Sequence, residues 1–463
     1  MAQKETKTSD HSVQERAKGR LDVLRAPLGA VFLAAYAASS FTDYPPVMAV
    51  FLGTGGVLLA ISVPWASGFH KALALAALLA LGAAVLTGRF DAGAFFEELP
   101  IYFNIIAVLL ILSIAGYPIR AERFTAQIRA LMAAMTQKGA GVRTTAGALG
   151  HLLGSVLDVG GFVLIDVILR RSAPHNRAEA LAWAGRGFSF TPLWTNLNVF
   201  TVTIITLTGV TYTGLLAVSL PFVILGLAVM LLVAQREKGQ IEEPPDTPLN
   251  RGAAAVILYP VLLVAAVAVV NTFIPGLSLT ATISITVATV VILIALLAAV
   301  LLRSRSPLQR LAGETRDSLV TSHPEFALFG LAGLLVVSLE QLNALSPIGD
   351  LFDALPAVLV APALALVTGL GWIAGIHVIP LILLVNTAFP LDGGPAPALW
   401  AVAILLGGQV AMLVTPFSNA VTMLSRLTGL HPIQIGPKKN WPFALVLALA
   451  TAVYLGLLTV LLL

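Results

Sequence analysis

The chain has no cysteine in its 463 residues, so it holds no disulfide framework, no thiolate metal site and no cysteine nucleophile. Charge is almost as scarce. Asp, Glu, Lys and Arg make up 11% of the residues, against roughly 25% in a soluble globular chain. So few charges cannot cover a water-facing surface. With 58% hydrophobic residues and a mean hydropathy of +0.92, the chain is built to be solvated by lipid. A phosphate-cradling Gly-Lys-Ser/Thr loop is missing, which excludes an ATP motor in this chain, and so is the His-Glu-x-x-His of an intramembrane zinc protease. No acid, base and nucleophile cluster in the sequence, so an enzyme is not expected. No cleavable signal peptide is expected either, because residues 1–25 are hydrophilic and basic (Lys4, Lys7, Arg16, Lys18, Arg20, Arg25). The pI near 9.4 comes from bases that sit between apolar runs, and it points to membrane orientation rather than nucleic acid.

What is present is a series of apolar runs. A spanning helix needs about 20 mostly apolar residues. Spans are expected at 26–41, 46–64, 69–87, 96–116, 179–209, 212–234, 252–271, 278–302, 325–343, 397–429 and 441–463. Two further runs, 142–170 and 357–388, are broken by Gly and Pro. Basic segments 1–25, 117–143, 235–251, 303–317 and 431–440 are assigned to the cytoplasmic side. Segments 42–45, 272–277, 342–356 and 389–396 carry no Lys or Arg and are assigned outside, with Arg89 the exception. The count closes only if 142–170 and 357–388 are re-entrant hairpins, one entering from each side. An inner membrane with the N-terminus cytoplasmic and the C-terminus outside follows.

Three patterns recur in order. Residues 109–114 resemble 334–339; Leu149-Gly150-His151 resembles Leu370-Gly371-Trp372; Thr191-Pro192 resembles Thr415-Pro416. Near-constant offsets of 225, 221 and 224 are what a duplication predicts. The flanking charges are opposite, so the halves are expected to be inverted: a basic tail (1–25), an extra helix (26–45), repeat 1 (46–234), a linker (235–251) and repeat 2 (252–463). Inverted repeats with broken helices at mid-membrane are a mark of secondary transporters.

The candidate site follows from the breaks. Non-helical backbone at membrane depth is tolerated only where it is buried or lines a cavity. Thr191, Thr195, Asn196 and Asn198 surround one break, and Thr415, Ser418, Asn419 and Thr422 surround the other. Their short oxygen and amide groups suit a small ion or carboxylate; the plainer reading is a proline kink with Ser/Thr satisfying freed carbonyls. At the hairpin tips stand Ser155 and Asp158, then Gly375 and His377. Asp158 binds a coupling cation or proton, or caps a half-helix. His377 titrates near neutrality or packs, and His151 is read as structural. Arg186 and Arg426 pull on an anion or snorkel; Asp166 and Glu340 reach the interface; Trp65, Trp400 and Trp441 are belt aromatics.

This layout resembles the ion transporter superfamily, which includes divalent anion–sodium symporters and the large permease subunits of TRAP transporters. The resemblance implies an all-α protein of eleven spans and two hairpins, a homodimer in lipid, and an elevator-like motion. It implies a small-molecule substrate and Na⁺ bound between Ser155, Asp158, Gly375 and His377 at the tips and Thr195, Asn196, Ser418, Asn419 and Thr422 in unwound helices. The family's Ser-Asn-Thr triplet stands at neither tip. Three functions follow as expectations: a carrier of a small anionic solute coupled to Na⁺ or H⁺, a cation/proton antiporter, and a subunit of a multi-component transporter. No cofactor other than the coupling ion is expected, and no metal beyond Na⁺.

Overall fold

Runs that are apolar throughout cannot form strands in lipid without a closed barrel, and they fold here as helices. The computed structural model describes residues 23–65, 68–120, 122–236, 251–274, 276–389, 391 and 396–462. The basic tail up to residue 22 lies outside the described residues, and so does most of the expected linker, with Glu242, Glu243, Pro244 and Pro245. In chain order the helices are α1 (Val23–Ser39), α2 (Pro45–Ser62), α3 (Gly68–Leu86), α4 (Ala92–Ala115), α5 (Glu122–Gln137), α6 (Val142–Leu157), α7 (Gly161–Ser172), α8 (Arg177–Phe188), α9 (Val199–Thr208) and α10 (Tyr212–Arg236). They continue as α11 (Arg251–Phe273), α12 (Leu279–Leu301), α13 (Ser306–Thr321), α14 (Leu331–Gln341), α15 (Ser346–Asp353), α16 (Ala357–Ile373), α17 (Val378–Ala388), α18 (Pro397–Val414), α19 (Asn419–Thr428) and α20 (Lys439–Leu462).

Among the described residues, 10 helical segments are long and apolar enough to cross a membrane, which makes the chain an all-α polytopic membrane protein. The count differs from the eleven expected spans for definite reasons. The first, α1, is short, and 179–209 is not one helix but α8, a 3₁₀ turn and α9, which removes two; the first hairpin, Val142–Ser172, taken end to end is long and apolar enough to be counted, which restores one. Stretches read as basic or polar loops are partly helical. In α5, Ile128 and Met132 are buried four residues apart; in α13, Pro307 and Leu311 are, with Leu319 two turns on. That apolar stripe under a charged face is an amphipathic helix.

The chain forms two compact units, each drawing on both halves of the sequence. Unit 1 holds α1–α4 and α12–α14. Its core is an aromatic cluster in which Phe32 meets Phe51, Phe103 and Phe326 with ring centroids 5.0, 6.2 and 5.2 Å apart. Arg89, the basic exception among the outside segments, donates to the carbonyl of Leu342 at the end of α14.

Unit 2 holds α5–α11 and α15–α20. Two helix pairs in it touch backbone to backbone. A Cβ on Gly187 of α8 would stand 1.9 Å from the carbonyl oxygen of Gly147 in α6, and one on Gly407 of α18 would stand 2.1 Å from that of Ala365 in α16. Only glycine permits such approach. Helix α18 is enclosed on nearly every side, so Trp400 is 2% exposed and is a core residue rather than a belt aromatic. Trp441 is 58% exposed, as a belt residue would be.

Candidate functional site

Helices α8 and α18 break in the same way. Thr415 follows α18 directly, and Thr195 follows α8 after the 3₁₀ turn Thr191–Leu193; after each threonine come two turn residues, then an N-capping residue and a ten-residue helix. Asn198 caps α9, its Oδ1 accepting from the Phe200 N–H at 3.0 Å; Ser418 caps α19, its Oγ accepting from the Val421 N–H at 3.1 Å. Both short helices end on a left-handed glycine, Gly209 and Gly429, where a side chain would be strained. Thr195 accepts the N–H of Leu197 at 3.2 Å and donates to the carbonyl of Ser155 at 3.1 Å. Thr415 does likewise with Phe417 at 3.3 Å and Trp372 at 3.1 Å.

The equivalent residues are thus 220 positions apart, and the sequence pairing of Thr191 with Thr415 is one helical turn out of register. Pro192 misleads because it opens the 3₁₀ turn Thr191–Leu193, where a missing N–H is harmless, whereas Pro416 lies in the gap itself. Thr191 is fully buried and donates to the carbonyl of Phe188 at 2.8 Å.

The hairpins turn sharply. Asp158, the last-residue cap of α6, has φ 50° and ψ −141°, a region in which a residue with a β-carbon is strained. A 3₁₀ turn, Asp158–Gly160, leads from it into α7. In the second hairpin Gly375 takes φ +98°, and His377 caps α17 through Nδ1, which faces the Ile379 N–H at 3.4 Å.

These pieces converge on one cavity of about 60 Å³ in unit 2. Asp158, Asn198, His377, Ser418 and Asn419 supply its polar lining, and Phe188, Phe200, Trp372 and Met412 stand among its apolar walls. At roughly 30 Å³ per water, it suits a small ion or a solute group of a few atoms. The N-terminal ends of α9, α17 and α19 all open into it, beside the turn that starts α7. Helix N-termini present unsatisfied N–H groups and partial positive charge. The indole N–H of Trp372 is enclosed with no hydrogen-bond partner among the described residues.

Five of the twelve expected site residues therefore meet. The other seven stand behind or beside the cavity: Ser155 and Gly375 shape the hairpins, Thr195 and Thr415 tie breaks to hairpins, and Thr191 is locked in its turn. Asn196 donates to Val264 of α11 at 3.4 Å, and Thr422 lies one turn along α19. The walls Phe188, Phe200 and Met412 were not expected, although Phe200 follows Asn198 by one cap spacing. Trp372 was noticed only as the counterpart of His151.

His151 is structural. Its Nε2 accepts from the Trp194 indole at 3.1 Å, so its Nδ1 carries the proton and donates to the Gly187 carbonyl at 3.1 Å. Charges read as snorkelling groups are engaged instead. Asp166 is 1% exposed and is held by Arg170 Nε at 2.9 Å and Arg177 Nε at 2.5 Å. Arg177 also donates to the carbonyl of Leu427 in α19. Arg186 lies over the Trp183 ring at 4.1 Å and donates to Asn440 Oδ1 at 3.0 Å and the Lys439 carbonyl at 2.7 Å. No group of three or more His, Asp or Glu among the described residues is arranged to hold a metal ion.

No protein-family model matches the sequence, and no curated protein matches it. Among solved structures, the fold is similar to that of the YdaH transporter of Alcanivorax borkumensis, which is described as having an unusual topology. The identity is 15% and the TM-score 0.53, over 84% of this chain and 98% of that one. The chain thus has the fold of a polytopic membrane transporter.

Proposed function

We propose that the chain is a secondary transporter of a small anionic solute, bound in the cavity where the two hairpins meet the two broken helices. The observation that carries this reading is the opening of three helix N-termini, those of α9, α17 and α19, into one small space. Each is worth about half a positive charge in its first turn. Hydroxyl, amide and indole groups beside them suit an oxygen-bearing anion.

Asp158 shares that space and supplies the coupling. An ionised carboxylate repels an anionic solute held in the same small cavity, so the solute binds best when Na⁺ or H⁺ has neutralised Asp158. By linkage, the solute then favours the cation's binding by the same factor. The half-helices support a re-entrant geometry. By residue count α6 and α7 span about 24 and 18 Å, and α16 and α17 about 26 and 17 Å, each short of a hydrocarbon core of about 30 Å. With the matching breaks 220 residues apart and the opposite flanking charges, they support two inverted repeats in an inner membrane, as in the ion transporter superfamily.

The test is thermal stability of the purified protein across organic acids and oxyanions, with and without Na⁺, at two pH values. A ligand of the folded state raises the unfolding midpoint. Stabilisation by an anion, strengthened by Na⁺ or by acid in the wild type and insensitive to both in Asp158→Asn, is the expected result. Stabilisation by cations alone, in competition with protons, overturns the anion reading in favour of cation/proton antiport.

A further inference from the structure

Away from the cavity, one end of unit 2 is strongly basic. Arg170 and Arg177 share Asp166, and Arg177 reaches on to Leu427, so the end of α7, the start of α8 and the last turn of α19 meet there. The acids of these elements are Asp166 and Glu179, and both are taken: Asp166 by the two arginines, Glu179 by Lys439 at 2.6 Å. Arg171, Arg426 and Lys438 are exposed and make no ion pair among the described residues. These three bases, on α7, α19 and the π turn Gln434–Lys438 before α20, are each next in the chain to a residue engaged at the junction (Arg170, Leu427 and Lys439), where the acids of these elements are already paired.

Two of the three stand at the head of apolar stripes. On α7, Val163 and Val167 are 40% and 43% exposed, and Arg171 follows at the same four-residue spacing. On α20, Trp441 and Leu445 are 58% and 52% exposed, one and two turns beyond Lys438. Residues at such spacing share a helix face. Bases that only marked membrane orientation would not need to converge from three elements. A free phosphate would make no use of the stripes.

We propose that this junction binds the phosphate head group of an anionic membrane phospholipid, with its acyl chains along the stripes of α7 and α20. Basic pockets between membrane helices recognise lipid phosphates in this way. The ligand's charge supplies what Arg171, Arg426 and Lys438 lack, and its tails cover side chains that water would not. The bound lipid clasps the first hairpin to the second broken helix.

The full-length protein in neutral detergent tests this, by unfolding midpoint and by native mass spectrometry, with short-chain phosphatidylglycerol, phosphatidylcholine and inorganic phosphate. Phosphatidylglycerol raises the midpoint and stays bound; the other two do neither. Each neutralised base weakens phosphatidylglycerol binding about five-fold, so R171Q/R426Q/K438Q loses on the order of a hundredfold, while R171K/R426K/K438R retains it. An equal response to phosphatidylcholine, an equal response to phosphate, or an unchanged response in the glutamine triple overturns the proposal. Should that triple fail to fold, the wild type decides: a phosphatidylglycerol effect undiminished in 1 M NaCl, where the Debye length is about 3 Å, overturns it too.

Discussion

At residue 158, glycine should be more stable than alanine, the reverse of the usual helical order. Asp158 has φ 50° and ψ −141°, a conformation that β-carbons oppose. Such strain costs roughly 1–3 kcal/mol, whatever the side chain beyond Cβ. Glycine removes it but gives up about 0.5–1 kcal/mol through the greater freedom of its unfolded chain. Asp158→Gly should therefore exceed Asp158→Ala by up to about 2.5 kcal/mol, at roughly 1 °C of unfolding midpoint per kcal/mol for a chain of this length. At an ordinary helical position alanine leads glycine by about 1 kcal/mol. Both variants lack the carboxylate, so any difference in stability comes from the backbone. Both should also lose cation-coupled uptake equally. The assay is thermal unfolding in detergent, paired with uptake into proteoliposomes under an ion gradient. Alanine above glycine, the order of an ordinary helical position, would refute the strained turn. Coupled uptake surviving in Asp158→Gly would remove the carboxylate from the mechanism.

Three further outcomes follow from the packing. Gly187→Ala and Gly407→Ala each force a methyl into a backbone carbonyl and should cost about 3 kcal/mol, whereas Gly82→Ala, with nothing within 4 Å, should leave the unfolding midpoint level or higher. Arg177→Met removes one of the two arginines that hold the buried Asp166, leaving Arg170, whose side chain is 61% exposed, and should cost about 3 kcal/mol; the double variant with Asp166→Asn should recover much of that in the same unfolding assay. Asn198→Ala and Ser418→Ala each remove a helix cap worth about 1 kcal/mol, and each should raise the KM of uptake more than a cap elsewhere would, such as Ser278→Ala on α12.

Much of this site is legible in the sequence, because its polar members violate the chemistry of an apolar run. Asp158, Asn198, His377, Ser418 and Asn419 stand out for that reason, and all five line the cavity. Its walls do not stand out. Phe188, Phe200 and Met412 are ordinary residues of membrane helices, and only the direction a side chain faces separates a wall from a lipid contact. Register failed at the first break because proline marks where a helix can end, not where it does, and Pro192 lies in a 3₁₀ turn ahead of Thr195. Charged residues misled for a related reason. Asp166 looks like an interfacial group until Arg170 and Arg177 are seen to hold it, and Arg186 until its partner Asn440, 254 residues away, is known. Trp400 reads as a belt aromatic at the end of an apolar run, yet its helix is wrapped by protein rather than lipid.

The glycine seams between α6 and α8 and between α16 and α18 have a mechanical meaning. Backbones in direct contact leave no side-chain layer to shear, so each pair can be displaced only as one lever. One lever carries Phe188 and the turn at Asp158; the other carries Trp372 and Met412. Spacing within each of these sets stays fixed through any working stroke. On the proposed function, capture and release of a solute then come from the gap between the levers, as with the jaws of a pair of tongs, and not from reshaping of either jaw.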